Sequence, residues 1–158
     1  MKKSLLIMGL VAAAVLALVM WRVAGDGAVL DPALVFDRIW IDRLPSKPTD
    51  TGNGFAAITR QPLGIFQASS QYKGSYELFT YKPGGEELQI VFPQTNEKEK
   101  LRLRAWKCKE REMDYCLELS GSTRGVTRYR SRRGWEIDGA TPPEQVLDRM
   151  EAIVRATN

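Results

Sequence analysis

The amino-acid sequence predicts a mainly β protein, in which an antiparallel meander of eight or nine strands closes into a small barrel. Three observations lead to this prediction. Eighteen uncharged, mostly apolar residues run from Ser4 to Trp21, short alternating segments fill the middle of the chain, and apolar residues recur at helical spacing near its end. We therefore expect an N-terminal apolar helix, a β-barrel domain and a C-terminal amphipathic helix.

Residues 4–21 form the predicted membrane segment, and two lysines precede them. The run is longer than the usual core of a cleaved signal and reaches the minimum length of a spanning helix. The small residues that end at Gly25 also offer a cleavage site. Residues 1–25 are therefore predicted to be either a retained membrane anchor or a cleaved signal peptide.

The basic residues before the apolar run favour a cytoplasmic N-terminus, which places the rest of the chain on the other side of the membrane. The predicted location is a bacterial-type cell envelope, with the anchor in the inner membrane and the domain in the periplasm. Cleavage near Gly25 would instead release a periplasmic or secreted protein. A membrane is thus an expected partner, whereas nucleic acid is not.

The middle of the chain consists of short β segments separated by turns rich in Pro, Gly, Asp and Asn. Residues 26–35 are interpreted as a tether, and residues 36–158 as the barrel domain. Consecutive short strands of this kind are typical of an antiparallel barrel or sandwich. The predicted strands are 36–44, 55–61, 63–72, 75–81, 87–92, 100–108, 115–120, 125–132 and 135–137.

Residues 141–157 are predicted to form the C-terminal helix. Thr141 and Glu144 have the spacing of a capping box, and Pro142 suits the first helical position. The apolar side chains of this helix share one face, which we expect to pack on the flank or the end of the barrel. Docking onto a partner is the alternative. This face consists of Val146, Leu147, Met150, Ile153 and Val154.

Cys108 and Cys116 are the only cysteines of the chain. A hairpin whose turn is centred on Glu112 places them directly opposite each other, within reach of a disulfide. An oxidising compartment favours this bond, although two unpaired small residues remain the alternative. The chain contains no histidine, so a zinc site lacks its further ligands and no metal or cofactor is expected.

The same hairpin resembles a lipocalin motif. Lipocalins carry Gly-x-Trp on the first strand, Thr-Asp-Tyr between the sixth and seventh strands, and an arginine late in the eighth. The counterparts in this chain are Trp40, Asp114 with Tyr115, and Arg128 or Arg130.

The resemblance to a lipocalin-like (calycin) barrel covers about residues 36–157, although Met113 replaces the threonine of the motif. It implies that Trp40 stacks on Arg128 or Arg130 and closes one end of the barrel. This role is structural and does not locate a ligand.

Positive charge is concentrated in one part of the chain. Residues 100–133 contain eleven Lys and Arg against four Asp and Glu, a local net charge of +7, whereas the whole chain carries +4. Such a surface suits an anionic partner. The alternative is a solvated face whose arginines pair with glutamates such as Glu110, Glu118 or Glu136. The candidate surface consists of Arg102, Arg104, Arg124, Arg128, Arg130, Arg132 and Arg133.

Two functions follow from these predictions. The first is a non-enzymatic cell-envelope protein whose barrel binds a lipid, another amphipathic ligand or an envelope component. The second is a structural or assembly factor that docks an acidic protein partner or an anionic surface through its arginine-rich face. An enzyme is the least favoured interpretation, because histidine, the commonest acid–base catalyst, is absent.

Overall fold

The computed structural model describes residues 32–84 and 87–156. The mainly β prediction is confirmed: eight antiparallel strands follow one another in chain order, and β1 pairs with both β2 and β8, so that the sheet closes on itself as a ring. Within the described residues, two helices accompany it, α1 (Pro32–Val35) and α2 (Pro143–Arg155). The strands are β1 (Trp40–Ile41), β2 (Gly52–Ile58), β3 (Leu63–Ser69), β4 (Gly74–Gly84), β5 (Glu87–Phe92), β6 (Glu97–Glu110), β7 (Met113–Ser120) and β8 (Arg128–Ser131).

The predicted membrane segment and both interpretations of residues 1–25 lie outside the described residues. Within the part that the structure describes, no helix has the length and apolar character needed to cross a membrane. The end of the predicted tether, by contrast, forms α1, whose Val35 is fully buried in the core.

The first and last predicted strands are shorter than expected. Of the predicted strand 36–44, only Trp40–Ile41 forms a strand. Asp37, three residues before Trp40, adopts a left-handed backbone with φ 52°. The segment 135–137 contributes a single bridge, between Arg38 and Glu136, and is therefore not a ninth strand of the described sheet.

Side chains of alternate residues fill the inside of the ring, because successive strand residues point to opposite faces of a sheet. The aromatic rings are in direct contact, with centroids 5.3 Å apart for Phe55 and Phe66 and 5.2 Å for Phe66 and Phe79. Burial raises the pKa of Tyr129 to about 12, so its hydroxyl stays protonated. The inner core comprises Val35, Trp40, Phe55, Ala57, Phe66, Phe79, Tyr81, Leu88, Ile90, Phe92, Leu101, Leu103, Ala105, Leu117, Leu119 and Tyr129.

Helix α2 packs on the outer face of β2 and β3, which confirms that its apolar face lies on the flank of the sheet. Val146, Met150 and Val154 are buried there. The predicted capping box is wrong, because Pro142 occupies the N-cap and no side chain caps the helix. The Pro142 carbonyl instead accepts a hydrogen bond of 3.2 Å from the backbone N–H of Val146.

Cys108 and Cys116 form a disulfide, with Cα atoms 5.7 Å apart, as the sequence predicts. The predicted register is wrong, however. Trp106, not Cys108, lies opposite Cys116, because the pairing of β6 with β7 shifts between residues 107 and 110. The disulfide therefore joins diagonal neighbours rather than facing residues.

The hairpin turn explains this shift. Arg111 and Glu112 form a two-residue turn, and both have positive φ, 51° and 63°. Two left-handed residues in succession are the geometry of a tight type I′ turn, which is shorter than the turn centred on Glu112 that the sequence suggests. The extra residue is absorbed as a bulge in β6.

Candidate functional site

The structure divides the predicted arginine surface into paired and unpaired members. Three arginines of β6, β8 and the segment after β8 pair with glutamates: Arg102 with Glu87 at 2.8 Å, Arg130 with Glu110 at 3.1 Å and Arg132 with Glu112 at 3.3 Å. The Arg104 guanidinium lies 5.6 Å from the ring centre of Trp106. Arg128 and Arg133 are exposed, and neither makes an ion pair with any described residue.

Arg124 occupies one end of the ring, in the loop between β7 and β8. Its guanidinium binds three carboxylates at once: Glu77 at 3.0 Å, Glu99 at 2.9 Å, and Glu97. It also lies 4.0 Å from the ring centre of Phe92, at the edge of the inner core. We call Arg124, Glu77, Glu97 and Glu99 the Arg124 cluster. It closes this end of the ring and makes Arg124 unavailable to a partner.

The Arg124 cluster shifts the ionisation of its members. The hydrogen bond from Arg124 is the largest cause that holds the pKa of Glu97 below its usual value. Partial burial acts to raise the pKa of Glu99, but hydrogen bonds from Thr123, Ser122 and Arg124 outweigh it and lower that pKa as well. Glu97 and Glu99 are therefore ionised at neutral pH, where they face the positive charge of Arg124.

The predicted stacking of Trp40 on a late arginine is not found. Trp40 is fully buried inside the ring, where its indole N–H donates to the Val35 carbonyl at 2.9 Å. Arg130 is the register partner of Ile41, which packs in the outer cluster under α2. Because neighbouring residues of a strand point to opposite faces, Arg130 and Arg128 lie on the opposite face of the sheet from Trp40.

Arg38, two residues before β1, stacks instead on Tyr115, the counterpart of the tyrosine in the lipocalin motif. Its guanidinium lies 4.1 Å from the ring centre of Tyr115, donates to the Arg132 carbonyl at 3.0 Å and binds Glu136 at 2.6 Å. The carboxylate of Asp114 accepts a hydrogen bond from the backbone N–H of Arg133 at 2.9 Å. These contacts fasten the segment after β8 to the hairpin of β6 and β7, which is a structural role.

A depression of about 600 Å³ lies on the outer face of β4, β5 and β6. Three exposed lysines flank it: Lys82 on β4, and Lys98 and Lys100 on β6. Gln89 and Val91 of β5 lie between them. We call this depression the lysine groove.

Strand register fixes the arrangement of the lysine groove. Lys82 pairs with Gln89, which in turn pairs with Lys100, so these three side chains form one row across the sheet. Thr80, Val91 and Lys98 form the adjacent row. No carboxylate of the described residues lies within salt-bridge distance of the three ammonium groups. Glu99 also lines the groove, but its carboxylate is bound by Arg124, Ser122 and Thr123. The three lysines thus carry positive charge that no ion pair within the described residues neutralises.

Sequence reasoning missed this groove. It began the basic segment at residue 100, whereas β6 begins at Glu97 and its outward face already includes Lys98. If the period-two alternation of β6 is extended by two residues toward the N-terminus, Lys98 falls on the same face as Lys100. Nothing local connects Lys82 to that face, because only the pairing of β4 with β5 brings it there.

A second, smaller basic pocket of about 310 Å³ lies beside the disulfide and includes Lys107, Lys109 and Arg133. Asp114 lines the same pocket and offsets part of its charge. Within the two described ranges, no set of three or more metal-ligating side chains is arranged to hold a metal ion.

Comparison of this chain with protein-family models, with curated proteins and with solved structures finds no match in any of the three.

Proposed function

We propose that this protein is a non-enzymatic docking module of the cell envelope. Its closed sheet is a small lipocalin-like barrel that presents basic outer surfaces to an acidic protein partner. Residues 4–21 would tether it to the inner membrane with the domain on the periplasmic side, or cleavage near Gly25 would release it.

The filled interior supports docking over ligand carriage. An eight-stranded barrel is just wide enough for side chains to fill it or for one small ligand to fit. In this chain, Phe55, Phe66 and Phe79 meet at the centre, and each is at most 4% exposed. The space that a lipid would occupy in a carrier is therefore taken by the core.

The observation that carries the proposal is the lysine groove. Charges that already form ion pairs within a fold are less available to a partner, whereas unpaired charges around a depression can meet a partner of opposite charge. Lys82, Lys98 and Lys100 have no carboxylate partner among the described residues, while most arginines of the predicted surface do. Docking of an acidic partner, the second of the two functions that the sequence suggests, is the one proposed here, but the partner would meet a different face.

The experiment compares an anionic polymer with an amphiphile. The full chain, held in a neutral amphipathic polymer, is titrated with poly-L-glutamate and, separately, with fatty acid, and tryptophan emission and light scattering are recorded. We expect saturable binding of poly-L-glutamate that weakens as ionic strength rises from about 0.05 to about 0.5 M, and a flat fatty-acid titration. Saturable fatty-acid binding without polyglutamate binding would replace docking with ligand carriage.

A further inference from the structure

We infer that the lysine groove binds one extended acidic segment of the partner protein, along β5 and between the lysines of β4 and β6. This inference rests on the proposed function, because it assigns the docking site and the form of its occupant.

The spacing of the lysines matches an extended chain. Lys98 and Lys100 are two residues apart on β6, which corresponds to about 6.7 Å along a strand. Alternate side chains of an extended peptide have the same repeat, so Asp or Glu at every second position would face successive lysines. Lys82 lies two strands away from β6, at about 9.6 Å, on the opposite side of the groove. The two flanks leave the width of one strand between them.

The floor of the groove suits a peptide backbone. Val91 is half-buried, and Thr80 and Gln89 are exposed at the level of the sheet. The Gln89 amide supplies both a donor and an acceptor, as a peptide bond requires. Val91 thus offers apolar contact and Gln89 offers hydrogen bonds to an extended main chain. The ammonium groups of the three lysines select negative side chains.

Other anionic occupants fit this geometry less well. A single phosphate needs donors that converge on it, whereas these lysines are spread along two flanks. Single-stranded nucleic acid binds through aromatic platforms, and the aromatic side chain among the lining residues, Tyr81, belongs to the inner core. A flat membrane surface could meet the lysines on the flanks of the groove, but it would leave Gln89 and Val91 on the floor without contact.

The test uses a fluorescent twelve-residue peptide with Glu and Thr in alternation, and a Gln–Thr peptide as its neutral control. Peptide binding to the full chain is measured by anisotropy for two variants that remove the same charge. The groove variant is Lys82→Gln/Lys98→Gln/Lys100→Gln. The matched control is Lys47→Gln/Lys73→Gln/Arg111→Gln, which changes three exposed cations that lie outside the lysine groove, the second basic pocket and the candidate arginine surface.

We expect the wild-type chain to bind the Glu–Thr peptide and not the Gln–Thr peptide. The dissociation constant should rise about ten-fold or more in the groove variant and less than about two-fold in the control, because short-range contacts depend on position and a general field does not. Circular dichroism should show the same fold for all three proteins, since the substituted side chains are exposed.

Equal weakening in the two variants would overturn the groove assignment and leave docking through a general basic field intact. Groove-dependent binding of oligothymidylate or inorganic phosphate, without binding of the Glu–Thr peptide, would overturn the acidic segment as occupant. Failure of the wild-type chain to bind any of these anions, including poly-L-glutamate, would overturn the proposed function itself.

Discussion

Replacement of Arg124 by methionine tests whether the Arg124 cluster closes the end of the ring. Methionine keeps much of the apolar stem over Phe92 but removes the guanidinium. Glu77, Glu97 and Glu99 then face one another without a cation. Because the Arg124 side chain is 19% exposed and Glu99 is 10% exposed, water can replace only part of the lost interaction.

The stability lost in Arg124→Met can be estimated from the burial of the three carboxylates. Removal of one partner from a fully buried ion pair costs about 3–5 kcal/mol. Glu77 is 41% exposed and Glu97 is 53% exposed, so both can recover hydration, and the cost falls mainly on Glu99. With the lost contact to the Phe92 ring, 4.0 Å from the guanidinium, we expect Arg124→Met to lower the free energy of unfolding by about 2–3 kcal/mol at pH 7.

The loss should depend on pH. The pKa values of Glu97 and Glu99 are lowered from 4.5, so the stabilisation by these groups is present above about pH 4.5 and disappears as pH falls through their lower native values. In the variant, protonation of a carboxylate relieves repulsion between the glutamates. The difference in unfolding free energy between the two proteins should therefore shrink between pH 7 and about pH 4.

The assay is urea unfolding of the full chain, followed by tryptophan emission at both pH values. Arg128→Met is the matched control, since Arg128 is exposed and makes no ion pair with a described residue. We expect the control to change stability by less than about 0.5 kcal/mol. An Arg124→Met variant as stable as the wild type, or a difference that is the same at pH 7 and pH 4, would refute the role of the cluster.

Two further predictions concern the disulfide and a packed glycine. Replacement of Cys108 and Cys116 by serine should lower the free energy of unfolding by about 2–3 kcal/mol, because the bond closes a short loop, and reductant should then cause no further loss in a urea titration. Gly64→Ala should lower the free energy of unfolding by about 1–3 kcal/mol, because the added Cβ would lie 2.0 Å from the Phe79 ring in the inner core. Gly74→Ala, whose Cβ would meet its nearest neighbour at 3.4 Å, should differ little from the wild type, and a Gly64 variant of equal stability would contradict this packing.

Local patterns were sufficient for much of the fold. Period-two alternation identified β5 with its bounds, Glu87–Phe92, because each of its inward residues is apolar and each boundary is a turn. The predicted apolar face of α2 was also confirmed, because its apolar residues recur at helical spacing. Prediction failed where backbone conformation decided the outcome. The two left-handed residues Arg111 and Glu112 shorten the turn and shift the register beside a correctly predicted disulfide.

The candidate site was less accessible to sequence reasoning. The excess of arginine was read as a surface for a partner, but the structure ties Arg124 to Glu77, 47 positions away in the chain, and to Glu97 and Glu99. Charge counts do not record such distant neutralisation. The three lysines of the groove lie on two strands, β4 and β6, so charge counts along the chain do not group them.

The sequence by itself determined the order of the β segments, the pairing of the two cysteines and the buried face of α2, since each depends on spacing between residues close in the chain. Only the tertiary structure decided which positive charges are neutralised and which remain at the surface. The pairing of β4 with β5 and of β5 with β6 brings Lys82 across from Lys98 and Lys100, and the folded ring brings the loop that carries Arg124 onto glutamates of β4 and β6. Electrostatic energy depends on those distances in space, which separation along the chain does not specify.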